Sequence, residues 1–174
     1  MSQLIKNESI TLRPLEPTDL DTLYNWENDS ALWVVSDTVA PYSRAALWQY
    51  LESYTGDIYA QRQLRLMVTL SADGTPIGTI DFLNFDPLNN RAELGLFIAN
   101  EHRGKGMGRQ ALELLTAYAR EHIGLRQLYV YIATDNEVCL QLFESFGYHR
   151  VGVIKSWVKR GSQYHDVALL QMLL

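Results

Sequence analysis

Cysteine is nearly missing from the chain: Cys139 is the only one in 174 residues, so no disulfide framework holds it together. No uninterrupted apolar run approaches the ~18 residues a membrane-crossing helix needs. The opening MSQLIKNESI carries no apolar stretch of signal-peptide length. Positive charge is scarce, with 15 Lys+Arg against 20 Asp+Glu and a formal net charge of −5, which disfavours a nucleic-acid partner. Histidine is sparse too, and His102, His122, His149 and His165 have no metal-ligand spacing with one another or with Cys139, so no metal is expected. What remains is 47% hydrophobic and 20% charged, too apolar for a disordered chain. The length suits one domain over 1–174, and a cytoplasmic protein without a membrane partner is the expectation.

The charge is uneven. Residues 1–60 hold three basic side chains (Lys6, Arg13, Arg44) and nine acidic ones. Residues 149–161 hold Arg150, Lys155, Lys159 and Arg160 and no acid. An acidic first third would attract a cationic substrate, or simply keep the surface solvated.

Periodicity divides the chain into two parts. In the first, strands are expected at 9–15, 63–71, 76–85 and 91–99, with a hairpin turn at Asp73-Gly74 and another turn at Asn89-Asn90. Helices are expected after Pro17 and over 43–54. This is an antiparallel meander. In the second part a helix over 108–122 ends at Gly124, a strand follows at 126–133, and a short helix over 136–146 ends at Gly147. Two strands, near 148–158 and 164–173, close the chain around Gly161. The crossover at 91–133 predicts a parallel strand pair with a right-handed connection, and so an α/β domain with a mixed sheet.

The most specific segment is EHRGKGMGR at 101–109, between a strand and a helix. Gly104, Gly106 and Gly108 let backbone come close to a ligand. Free N–H groups at the helix start suit a phosphate, and Arg103, Lys105 and Arg109 add positive charge. Residues 106–111 formally fit a dinucleotide fingerprint, G-x-G-x-x-A, with Asp135 further on, but a single crossover after a meander is the wrong setting for it.

Two segments together identify a resemblance. Arg103-Gly104-Lys105-Gly106-Met107-Gly108 resembles the pyrophosphate loop of the GNAT acetyltransferases, [Q/R]-x-x-G-x-[G/A]. NEVCLQLFESFGY, from Asn136 to Tyr148, resembles their N-x-x-A-x-x-L-[Y/F]-x-x-x-G-[F/Y], with Cys139 at the alanine position. The opening LRPLEPTDLDTLYNWEND resembles that of the ribosomal-protein N-terminal and spermidine acetyltransferases. The resemblance covers about residues 9–173. It implies a mixed sheet of six or seven strands, about four helices and a central splayed parallel pair. It also implies acetyl-CoA as cosubstrate and a primary amine as acceptor: a protein N-terminus, a polyamine or another small amine. The alternative is a CoA-binding module of this fold with little catalysis. A homo-oligomer is compatible with it, since relatives range from monomers to dodecamers.

By the same resemblance, backbone near Leu96, Phe97 and Ile98 would pair with the pantetheine arm, residues 103–109 would hold the pyrophosphate, and Asn136 would contact the CoA arm. Asn136 also reads as a plain helix N-cap. Glu93 stands where many members carry a carboxylate, and is the candidate base or amine-binding group; the plainer alternative is a surface charge paired with Arg91 or another neighbour. Phe143 occupies the position of the family's tyrosine acid and has no proton to give, which leaves Tyr148, Tyr131 and Ser145 as substitutes. Trp26, Trp33, Trp48 and Tyr50, with Glu27, Asp29 and Asp37, would line the amine site. Cys139 reads as a small core residue rather than a nucleophile.

Overall fold

A computed structural model describes residues 5–36 and 38–174. Seven strands form one sheet: β1 (Ile10–Arg13), β2 (Leu64–Leu70), β3 (Pro76–Asp86), β4 (Arg91–Ile98), β5 (Gln127–Ala133), β6 (His149–Arg160) and β7 (Gln163–Leu173). Their order is β1-β2-β3-β4-β5-β7-β6, and every pairing is antiparallel except β4 with β5. The helices are α1 (Leu20–Glu27), α2 (Trp33–Ser36), α3 (Arg44–Ser53), α4 (Ile58–Gln61), α5 (Met107–Tyr118) and α6 (Glu137–Phe146). Four of them run eight residues or more, as expected. The single turns α2 and α4 were not foreseen, because four residues are too few for a periodic signal.

Alternation along the strands divides the side chains between two faces. Leu66, Val68, Ile80, Phe82, Ala92, Leu94, Leu128 and Val130 meet Ala111, Leu112 and Leu115 of α5 and Leu140 and Phe143 of α6 in the main core. Each of the larger side chains contributes roughly 1.5–3 kcal/mol, and each alanine less. The other face is covered by α1 and α3, where Leu23 and Leu51 pack on Met67 of β2.

Three boundaries differ from expectation for physical reasons. The strand expected over 9–15 ends at Arg13, because Pro14 has no N–H to pair. Its Arg13 guanidinium instead grips Asp19 through two bonds of 2.8 and 2.7 Å, and Asp19 accepts the Glu16 N–H at 2.8 Å, fixing the entry to α1. The helix expected over 108–122 is regular only to Tyr118. A wider π turn over Ala119–Ile123 then leads to Gly124, at φ +76°. In β3, Phe82 and Phe85 both face the main core although three residues apart, so a bulge must take up the extra residue.

Candidate active site

β4 and β5 pair at only three positions, Arg91↔Gln127, Ala92↔Leu128 and Glu93↔Tyr129. Beyond Glu93 the two strands part. On its other side β4 stays paired with β3 as far as Ile98. The β5-facing backbone of 94–98 is therefore an open strand edge inside the fold, where unpaired N–H and C=O groups are costly unless a ligand meets them. One is met within the chain: the Ile98 carbonyl accepts the Arg103 Nε–H at 2.7 Å. Leu96 and Ile98 present their N–H and C=O groups to this edge, whereas the Phe97 backbone, expected there too, is turned toward β3.

The glycine loop sits at the cleft's far end. Gly104 and Gly106 have φ +71° and +78°, conformations that other residues adopt only under strain. Gly108 differs: it has an ordinary φ, and a Cβ there would rest 3.5 Å from Leu142 and Leu96. Among the described residues the backbone N–H groups of 104–109 have no acceptor, and the next amide, Gln110, is the first to bond back, to Gly106 at 3.2 Å. Six free donors, three in the loop and three in the first turn of a twelve-residue helix, suit an anion. The cations around it are partly engaged. Lys105 Nζ donates to the Glu101 carbonyl at 2.8 Å. Arg109 lies 3.4 Å from Glu113 and 5.5 Å over the Phe146 ring. Met107 packs on the main core. A donor row followed by an open strand edge fits a pyrophosphate carrying an amide-bearing arm.

α6 flanks the cleft. Asn136 caps it, its side chain accepting the Cys139 N–H at 3.3 Å. Phe143 is buried, and its ring meets Tyr148 edge-on at 5.0 Å. Tyr148 is 2% exposed, and its hydroxyl has no partner among the described residues. Burial raises its pKa above the usual phenol value. Burial also pushes the Cys139 thiol up to about 11, which keeps it protonated.

On the α1–α3 face, the last paired position holds Glu93 opposite Tyr129. Glu93 accepts the Asn84 Nδ2–H at 2.7 Å. Arg91, its sequence neighbour, pairs instead with Asp86 at 3.2 Å. Burial, then the charge of Glu93, raises the Tyr129 pKa, and the Tyr129 ring meets Tyr131 edge-on. Deeper in lies a charge cluster that the sequence reading missed. Arg65 Nε donates to Asp81 Oδ1 at 2.8 Å, Nη2 to Oδ2 at 3.2 Å, and Nη1 to Glu27 Oε1 at 3.1 Å. Burial is the largest influence on Arg65 and works against its charge, but Asp81 outweighs it and the pKa is raised. A charged residue at each of two facing mid-strand positions was the available signal.

The expected amine-site residues are thus only partly together. Trp26 meets Phe97 edge-on at 5.2 Å, and with Asp29, Leu32, Asn100 and Glu101 they line a small cavity of about 70 Å³. Trp33 donates its indole N–H to the Glu27 carbonyl at 2.8 Å. Trp48 is exposed, and the Tyr50 hydroxyl is buried without a partner among the described residues. Asp37 lies outside the described residues. Among the described residues no group of three or more His, Cys, Asp or Glu could hold a metal ion.

A splayed parallel pair, a row of free loop amides at one end and a carboxylate where the strands part suit the transfer of an acyl group from a phosphorylated carrier. Residues 9–149 match the model of the acetyltransferase (GNAT) domain, and the chain belongs to that family. It is 26% identical over 170 residues to the spermidine N(1)-acetyltransferase of Vibrio cholerae serotype O1, covering 96% of this chain and 94% of that protein. It is 24% identical over 176 residues to the ribosomal-protein-serine acetyltransferase of Escherichia coli K12, covering 100% and 98%. The crystal structure of Vibrio cholerae spermidine N-acetyltransferase in complex with CoA and spermine superposes with a TM-score of 0.86 at 25% identity, covering 96% of each chain. The protein is an acetyl-CoA-dependent N-acetyltransferase.

Proposed function

We propose that the chain acetylates a primary amine carrying at least one further positive charge, a polyamine in preference to a neutral amine, with Glu93 as the base. The observation that carries this reading is the place of Glu93, at the last paired position before the strands part. An acetyl thioester whose pyrophosphate rests on 104–109 and whose arm follows 94–98 would end near it. Glu93 takes a proton from the incoming ammonium, the neutral amine attacks the carbonyl, and the tetrahedral species collapses as its nitrogen gives up a second proton and the thiolate leaves and takes one up. Around this face stand Glu27, Asp29, Asp81, Glu93 and Glu101 against the guanidiniums of Arg65 and of Arg103, which lies over the Phe97 ring, an excess of negative charge that favours a cationic acceptor. The activities named for the Vibrio and Escherichia relatives support both the polyamine and the protein N-terminus as classes to test.

Tyr148 is the candidate donor to the leaving thiolate. Its hydroxyl is buried without a partner among the described residues, and its ring lies against the Phe143 position. Tyr148→Phe should slow turnover without weakening acetyl-CoA binding; unchanged turnover would leave this step to water. CoA release from acetyl-CoA, read by mass across spermidine, spermine, small aliphatic amines, aminoglycosides and peptides beginning with Ala or Ser, tests the acceptor class. Fastest release with spermidine or spermine is expected. Fastest release with a peptide would transfer the assignment to protein N-termini, and no release despite saturable acetyl-CoA binding would overturn it. Glu93→Gln should lower kcat with little change in the acetyl-CoA Kd.

A further inference from the structure

We infer that Asn84 is a positioning residue for the acetyl transfer: the bulge in β3 turns it out of the core so that its amide holds one oxygen of Glu93 and leaves the other facing the cleft. The inference rests on the assignment of Glu93 as base. Four observations carry it.

The register between β3 and β4 is regular from Gly78↔Ile98 to Leu83↔Glu93, then breaks between Leu83 and Asp86. Asn84 sits within the break at φ +48°, one of only four non-glycine residues at positive φ among those described. Asparagine tolerates that conformation better than most residues, yet still carries some strain, and such strain concentrates at functional positions. In an unbroken strand Asn84 would share the core face with Phe82; the bulge gives that face to Phe85 and sends Asn84 to the side of Leu83 and Glu93. There its Nδ2 meets Glu93 Oε2 at 2.7 Å, the short distance of a charge-assisted bond. No other side chain among those described donates to Glu93.

A flexible glutamate at the mouth of a cleft samples several rotamers, and a base must stand within hydrogen-bond reach of its proton. Fixing Oε2 restricts the carboxylate to one orientation. A displacement of about 1 Å at a reacting group can cost on the order of a hundredfold in rate. The competing account is that the bulge exists only to seat Phe85, in which case the contact with Glu93 is incidental.

Asn84→Gly separates the two. Glycine keeps the positive φ at no steric cost and removes the amide, so the bulge and the seat of Phe85 survive. Thiol release would be followed with acetyl-CoA as donor and spermidine as acceptor, or a Ser-initiated peptide if that is the faster. The expected result is a tenfold to hundredfold fall in kcat, an unchanged acetyl-CoA Kd, a melting temperature equal to or above wild type, and no further loss when Glu93→Gln is added. If Glu93→Gln slows turnover and Asn84→Gly does not, the positioning role is refuted while the base assignment stands. If both are silent, both assignments fall. A fall in melting temperature along with kcat, or losses that add in the double variant, would show a structural role instead and overturn the inference.

Discussion

Asp81→Asn tests whether the charge cluster beneath α1 holds the acceptor face together. Asp81 is 6% exposed and receives two bonds from Arg65, which stands directly opposite it in the β2–β3 register. Burial is the largest influence on Asp81 and raises its pKa, with Arg65 acting against it, so the carboxylate depends on that guanidinium for its charge. Removing one partner of a buried pair typically costs about 3–5 kcal/mol, because the other is left uncompensated. Here Arg65 keeps Glu27 at 3.1 Å and its side chain is 21% exposed, which brings the expectation down to roughly 2–4 kcal/mol. For a chain of this length each kcal/mol moves the midpoint by about 2–4 °C, so calorimetry at neutral pH should show a melting temperature lower by about 8 °C. A double replacement, Arg65→Met with Asp81→Leu, removes both charges and should recover most of the loss. A single variant melting within about 2 °C of wild type would refute the reasoning, since the pair would then be solvated rather than buried.

Gly106→Ala should cost roughly 1–2 kcal/mol, because φ +78° forces the new Cβ into strain, and should weaken acetyl-CoA binding by isothermal titration. Gly108→Ala should leave the melting temperature unchanged or raised, since its Cβ meets only ordinary contacts in a helix that favours alanine by roughly 0.5–1 kcal/mol. Cys139, with its pKa raised by burial to about 11, should react with iodoacetamide at pH 8 about a hundredfold more slowly folded than unfolded, by mass spectrometry. Asp166 has a pKa lowered by its bond to Lys155 and then by the Ser156 N–H, so it adds stability above the ordinary aspartate value and loses it as pH falls through the lowered one. Asp166→Asn should accordingly flatten the acid side of a melting-temperature profile, and an unchanged acid side would sink that reading.

The parts that were legible in the sequence are those where local chemistry and fold agree. Three glycines at a strand-to-helix junction marked the loop and the first turn of α5, the switch from alternation to helical spacing marked the crossover, and Asn136 announced the start of α6. What was not legible depends on which strands lie side by side. Arg65 and Asp81 meet only because β2 and β3 pair in one register, and Glu27 joins them only once α1 crosses that face. Asn84 went unremarked inside the strand expected over 76–85, because the bulge shows only once Phe82 and Phe85 are both found in the main core. Tyr129 went unremarked because its importance comes from being the last residue of β5 to touch β4.

The presence of Phe143 is consistent with the way the chemistry is divided. An alkylammonium with a pKa near ~10.4 is neutral in only about one molecule in 2,500 at pH 7, so the base must overcome more than three powers of ten. A thiol with a pKa near ~8.5 leaves only about one and a half pH units from neutrality, so protonating the departing sulfur gains far less. A chain that lacks a tyrosine at position 143 gives up the smaller of the two contributions. The built features of this site are concentrated on the larger one: the strands part immediately after Glu93, the Asn84 amide fixes its carboxylate, and a bulge in β3 puts that amide in place. Turnover should therefore respond more steeply to changes at Glu93 and Asn84 than to any hydroxyl restored near the sulfur.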